Sequence, residues 1–258
     1  MGSDGFGALR RERARASTSG PGHPQVAGAD CRRDDILASI GTVDPLTTTA
    51  IVAACVACGV PAGAAARLLL ARMRRGARVP PLWCETAVGL LWGLTGLSWG
   101  VGALAGRWLP VLLGLGWLAV AGTAVDVLVH RLPDALTGPA LPAAVLLLIP
   151  LGTAALLRAV AGAAVLLAAY AVVHLTVPEA LGAGDVKLAA TLGAVLAAVS
   201  WPALLLGALG ATVLTGLVAA VGLGCGRIGR GAAVPHGPAM LAAGWLVMAG
   251  SGLAPGLG

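Results

Sequence analysis

From residue 45 to Gly258 the chain carries only five carboxylates, Glu85, Asp126, Asp134, Glu179 and Asp185. The other six of its eleven, Asp4, Glu12, Asp30, Asp34, Asp35 and Asp44, all lie before residue 45. Charged residues make up 11% of the 258 and hydrophobic residues 58%, whereas soluble domains carry about 25% charged residues. A water-soluble globule built from such a stretch would have too few groups to face water. The composition points to an all-α polytopic membrane protein, with a polar N-terminal tail at 1–43 and a membrane domain over 44–258.

The tail is rich in Arg, Gly, Ser and Asp, shows no apolar period and is expected to be disordered. No signal peptide is expected, because the first apolar stretch begins near Leu46. From there apolar runs cover about 46–66, 86–105, 109–125, 136–153, 155–176, 186–200, 203–224 and 238–255, which predicts about eight transmembrane helices. The runs are continuous and Ala/Leu-rich without period-two alternation, so they do not read as barrel strands. Small-residue faces such as Gly207-Ala208-Leu209-Gly210-Ala211 allow helix backbones to approach closely in lipid.

The formal charge of +6 resides in arginines between apolar runs and in the tail, with one Tyr and one Phe in the whole chain. Such a chain has no stacking platform for bases, and nucleic acid is not an expected partner. Short-loop arginines instead report orientation. The loops 67–85, 126–135, 177–187 and 225–237 together hold nine Lys and Arg, the alternate loops two, Arg107 and Arg158. The first set therefore belongs in the cytoplasm. The six tail arginines fall on the opposite side, against the rule, although even Arg33 stands well before the first helix. In this arrangement all five sparse carboxylates, with His130 and His236, share one membrane face.

The five cysteines, Cys31, Cys55, Cys58, Cys84 and Cys225, are scattered. Cys55 and Cys58 form a CxxC inside an apolar run with no second pair, short of the four ligands of a structural metal site. No metal or other cofactor is expected.

Asp185 ends Leu181-Gly182-Ala183-Gly184-Asp185 and precedes an apolar run at 186–200 that rises about 22 Å, short of a hydrocarbon core of about 30 Å. That places the acid below the membrane surface, where ionisable groups serve function; an N-cap after a glycine turn fits the same spacing. Gly182 and Gly184 carry no side-chain bulk and would let another backbone approach. Lys187 is the one lysine beside sixteen arginines. Asp126 closes the third apolar run with apolar neighbours on both sides. His130 would share its face if the helix continues. Asp134, after Pro133, reads as a cap of the fourth helix. Two acids held together in low dielectric share one proton. Such a pair can hydrolyse a peptide bond without a metal, or can load and release a proton in transport; both readings are open at this point.

Asp126 followed by Leu132-Pro133-Asp134 and Leu136-Thr137 resembles the D-x5-LP-[DN]-x-LT segment of bacterial prepilin peptidases, the type IV leader peptidase family. Glu179-Ala-Leu-Gly182-Ala-Gly184-Asp185-Val-Lys187-Leu is similar to that family's E-G-x-G-x-G-D-x-K-L segment, and Val234-Pro235-His236-Gly237-Pro238 to its IPFGP segment. The three appear in family order over about residues 46–255. The resemblance implies a multi-pass aspartic endopeptidase of a bacterial inner membrane, its site facing the cytoplasm. It would remove the basic leader of type IV prepilins or pseudopilins ahead of their hydrophobic helix. It assigns the catalytic positions to Asp126 and Asp185. Gly182, Gly184, Lys187, Pro133, Asp134 and Glu179 would shape the site or meet substrate, Glu179 facing the basic leader. Many members carry paired CxxC motifs in a large first cytoplasmic loop, linked to N-methylation. Here loop 67–85 is short and holds Cys84 alone, in Trp83-Cys84-Glu85, which implies a peptidase without methyltransferase activity. Ala180 stands where the family often has Gly, and His236 replaces a common Phe. Presenilin-class proteases carry Tyr-Asp at the first acid, whereas this chain has Val125-Asp126.

Overall fold

Prolines and hydroxyl or carboxylate caps mark where the chain turns back. Asp44 Oδ1 accepts the Leu46 N–H at 3.2 Å with Pro45 starting the first helix. Ser200 Oγ accepts the Ala203 N–H at 3.2 Å just ahead of Pro202, so two apolar helices meet at one serine. The computed structural model describes residues 44–73, 76–129, 132–178, 181–227, 229 and 234–251. Among them it forms eight α-helices and no strand: α1 (Pro45–Arg72), α2 (Trp83–Gly100), α3 (Leu109–Val129), α4 (Asp134–Leu148), α5 (Thr153–Thr176), α6 (Ala183–Val199), α7 (Trp201–Gly224) and α8 (Gly237–Ser251). Short 3₁₀ turns, Gly106–Trp108 and Ile149–Leu151, precede α3 and follow α4. The expected tail 1–43, and with it Cys31, and also His130, Glu179 and Ala180 lie outside the described residues.

The helices fall on the expected apolar runs, and the differences at their ends have local causes. α1 continues past residue 66 to Arg72. Arginine is a good helix former, the Arg67 charge is paired with Glu85 at 2.7 Å, and Arg72 suits the last turn. α2 stops at Gly100, short of residue 105, and Gly102 turns the chain at φ 75°. α3 runs past residue 125 to Val129, which puts Asp126 on the helix rather than after it.

Among the described residues five stretches are long and apolar enough to cross a membrane: Pro45–Arg72, Gly106–Val129, Asp134–Leu151, Thr153–Thr176 and Trp201–Gly224. Along α7, Leu205, Leu209, Val213 and Leu217 form a stripe of side chains each more than half exposed. An uncovered apolar stripe of this length is a lipid-facing surface, and the chain is a membrane protein.

α6 is the exception that organises the rest. It has 17 residues, and Leu188 through Ala198 are all buried, with α4, α5, α7 and α8 packed around it. A helix shielded by protein on every side need not match the bilayer. Its C-terminal carbonyls are held instead by Arg158 of α5, whose Nε donates to Ala197 O at 3.3 Å and Nη2 to Ala198 O at 2.9 Å. A guanidinium there also complements the helix dipole. α5 reaches α6 at Gly162 and Gly193, where the two backbones touch directly.

Candidate active site

The C-terminal end of α3 and the N-terminal ends of α4, α6 and α8 converge, and the chemistry-bearing residues gather there. Asp126 lies in the last turn of α3 and is 5% exposed. Three apolar residues after it, Val127-Leu128-Val129, keep the helix going and leave the acid no loop to turn out into. Asp185 sits in the first turn of α6, three residues after its N-cap Gly182, whose N–H it accepts through Oδ2 at 3.3 Å. The cap alternative for Asp185 is thus corrected: Gly182 holds that position, and the acid reaches back to it from within the helix. One oxygen of Asp185 is satisfied by the turn. The other, Oδ1, is buried and receives no hydrogen bond from the described residues. Asp126 lies near enough for its charge to act on this same carboxyl.

Backbone approaches lock this convergence. A Cβ on Gly184 would lie 2.7 Å from Leu132 Cβ and 3.1 Å from Leu132 O. Leu132 therefore sits against the Gly182–Asp185 turn, and the face of Gly184 expected to receive a substrate backbone is covered by the chain itself. Gly182 remains exposed. Pro133 is buried as the N-cap of α4. A Cβ on Gly237 would lie 2.8 Å from Asp126 Oδ2 and 3.0 Å from Leu132 Cδ1. Leu132 is thus gripped between the two glycines. Gly237→Ala is expected to displace the Asp126 carboxylate and lower turnover by about two orders of magnitude, a loss of about 3 kcal/mol in transition-state stabilisation. Steady-state kinetics on protein that inserts normally checks this.

Asp134 does not cap α4. Pro133 occupies that position, and the Asp134 carboxylate reaches Lys187 Nζ at 2.5 Å. Both side chains are largely exposed, so the pair ties α4 to α6 loosely and contributes about 1 kcal/mol at most. Glu85 pairs with Arg67 between α1 and α2, apart from the two acids. Cys55, Cys58, Cys84 and Cys225 are free thiols.

His174, which nothing in its sequence neighbourhood marks, holds the turn that carries Asp185. Its Nδ1 donates to Leu181 O at 2.7 Å. Its only sequence signal is a polar residue in the last turn of an otherwise apolar helix.

Beside the acids, α2, α3 and α8 line an open apolar cleft of about 790 Å³. Its wall includes Thr123, Val127 and Leu128 on the turns of α3 that carry Asp126, with Trp83, Trp245 and Leu246 opposite.

In comparison with known proteins, residues 112–221 match the model of the type IV leader peptidase family. No curated protein and no solved structure matches the chain. The matched stretch contains both converging acids, the Leu132-Pro133-Asp134 turn and the Gly182–Lys187 turn, while the segment 234–238 lies beyond it. This match supports membership of the type IV leader peptidase family, a family of peptide-bond hydrolases.

Proposed function

We propose that this protein is a membrane aspartic endopeptidase of a bacterial inner membrane. It cleaves the leader of type IV prepilins or pseudopilins on the cytoplasmic side and lacks N-methyltransferase activity. The observation that carries the reading is the convergence around Leu132 of the buried Asp126 and the half-buried Asp185, whose Oδ1 has no hydrogen bond from the described residues. Two carboxylates in that relation cannot both ionise, and they hold one proton between them.

The ionised member takes a proton from water as it attacks the scissile carbonyl. The protonated member donates to the carbonyl oxygen as it gathers charge; as the C–N bond breaks, the proton taken from water passes to the leaving amine and the other acid recovers its own from the diol. Lys187 neutralises Asp134 nearby, so a third carboxylate does not add its repulsion to the pair. Gly182 stays open at the rim.

A substrate with an apolar segment just after the cut suits the cleft beside Asp126. Ala242 is exposed and lines it. Ala242→Trp is expected to raise KM severalfold at nearly unchanged kcat, since it removes binding space and not the acids; initial rates against substrate concentration check this.

The direct test is the full chain in detergent with a type IV prepilin, read by mass spectrometry with S-adenosylmethionine present. The proposal predicts a product starting at the end of the leader with an unmethylated N-terminus. An intact prepilin, together with proton-gradient-dependent solute flux in vesicles, supports the transporter reading instead.

A further inference from the structure

His236 stands on the loop entering α8, directly before the glycine that presses on Asp126. Both of its ring nitrogens face hydroxyls from other helices. Tyr170 Oη of α5 lies 3.2 Å from Nε2 and Thr215 Oγ1 of α7 lies 2.7 Å from Nδ1. The Tyr170 and His236 rings are 5.8 Å apart.

The proton positions follow from counting donors. Thr215 donates its single hydroxyl proton to Ala211 O at 2.9 Å, so toward His236 it can only accept. His236 Nδ1 must then carry the hydrogen. In a neutral ring this leaves Nε2 as the acceptor, and Tyr170 as its donor. Burial pushes the His236 imidazole below the ordinary histidine range, which favours the neutral ring. The chain of bonds therefore runs one way, from Tyr170 through His236 and Thr215 to a backbone carbonyl.

We infer that Tyr170, His236 and Thr215 form a positioning relay for Asp126, acting through the backbone of Gly237. The inference rests on the reading of Asp126 and Asp185 as the catalytic pair. Anchoring His236 on both ring nitrogens fixes where Gly237 begins α8, and His236 O in turn accepts the Met240 N–H at 3.1 Å. The relay is built from the chain's single tyrosine and from a histidine at a position where the family segment commonly has Phe. It is a feature of this chain's own wiring.

The test is a double-mutant cycle on the full chain in detergent, with a type IV prepilin as substrate. Tyr170→Phe and His236→Phe should each lower kcat about tenfold, with KM within about twofold of the parent. Because both cut one chain of bonds, the double variant should be no slower than either single one. Parental kcat in Tyr170→Phe overturns the relay, and so does a double variant about a hundredfold down, which is what independent effects give. Thr215→Val removes only the far hydroxyl and should lower kcat severalfold, so the relay is testable even if a His236 variant does not insert. Asp126→Asn and Asp185→Asn run alongside. If those are inactive while the relay variants match the parent, the relay alone falls. If the asparagine variants cleave normally, the catalytic reading itself falls.

Discussion

Asp126→Asn and Asp185→Asn are each expected to reduce leader cleavage by at least about a thousandfold, a barrier increase of about 4 kcal/mol. Asparagine has the shape of aspartate and can still accept the Gly182 N–H through its side-chain oxygen. It can neither take a proton from water nor share one with its partner. The fold should hold in both variants, since a neutral amide at either position also removes a charge from the charge pair. Because the acids act as a unit, the double variant should be no slower than the single ones. Asp134→Asn is the informative control. Its carboxylate is largely exposed and tied to Lys187, so activity should stay within a few-fold of the parent. Cleavage rates on membrane-inserted protein, quantified against the parent, decide all three.

The second large effect concerns the fold. Gly193→Val drives a branched side chain from α6 into the Gly162 carbonyl of α5, and neither backbone can retreat while Arg158 holds the end of α6. The expected loss is about 3 kcal/mol or more, at the upper end of overpacking costs. It would be measured as a lower midpoint in detergent-induced unfolding. Gly216→Val on α7 meets nothing within 4 Å and should leave that midpoint unchanged. A similar fall in both variants would mean that the α5–α6 contact is not what sets the stability, since helix propensity alone favours valine over glycine.

Apolar runs made the helices legible in the sequence, because in lipid each run must satisfy its own backbone bonds. The short run after Asp185 was legible as unusual. Its cause was not, since burial by four neighbouring helices and the Arg158 anchor belong to tertiary structure. Asp126 and Asp185 stood out as acids in apolar surroundings, and family-like spacing marked both. The roles of the glycines were misjudged at Gly184, where the missing side chain admits Leu132 of the same chain. Asp134 looked like a cap because the capping rule is local, whereas its partner Lys187 arrives from another helix. Tyr170 and Thr215 carried no local sign, and His174 only its polarity in the last turn of α5. Each becomes informative only through a partner that the fold supplies, and no spacing rule connects them.

The shared proton itself is tested most directly by the pH dependence of kcat/KM for leader cleavage by the parent enzyme. A pair that works with one member ionised and one protonated must lose activity on both sides. On the acid side the base is protonated; on the alkaline side the remaining proton leaves. The predicted result is a bell with two single-proton limbs. A rate that is flat across the accessible range, or that rises to a plateau without an alkaline limb, would contradict it.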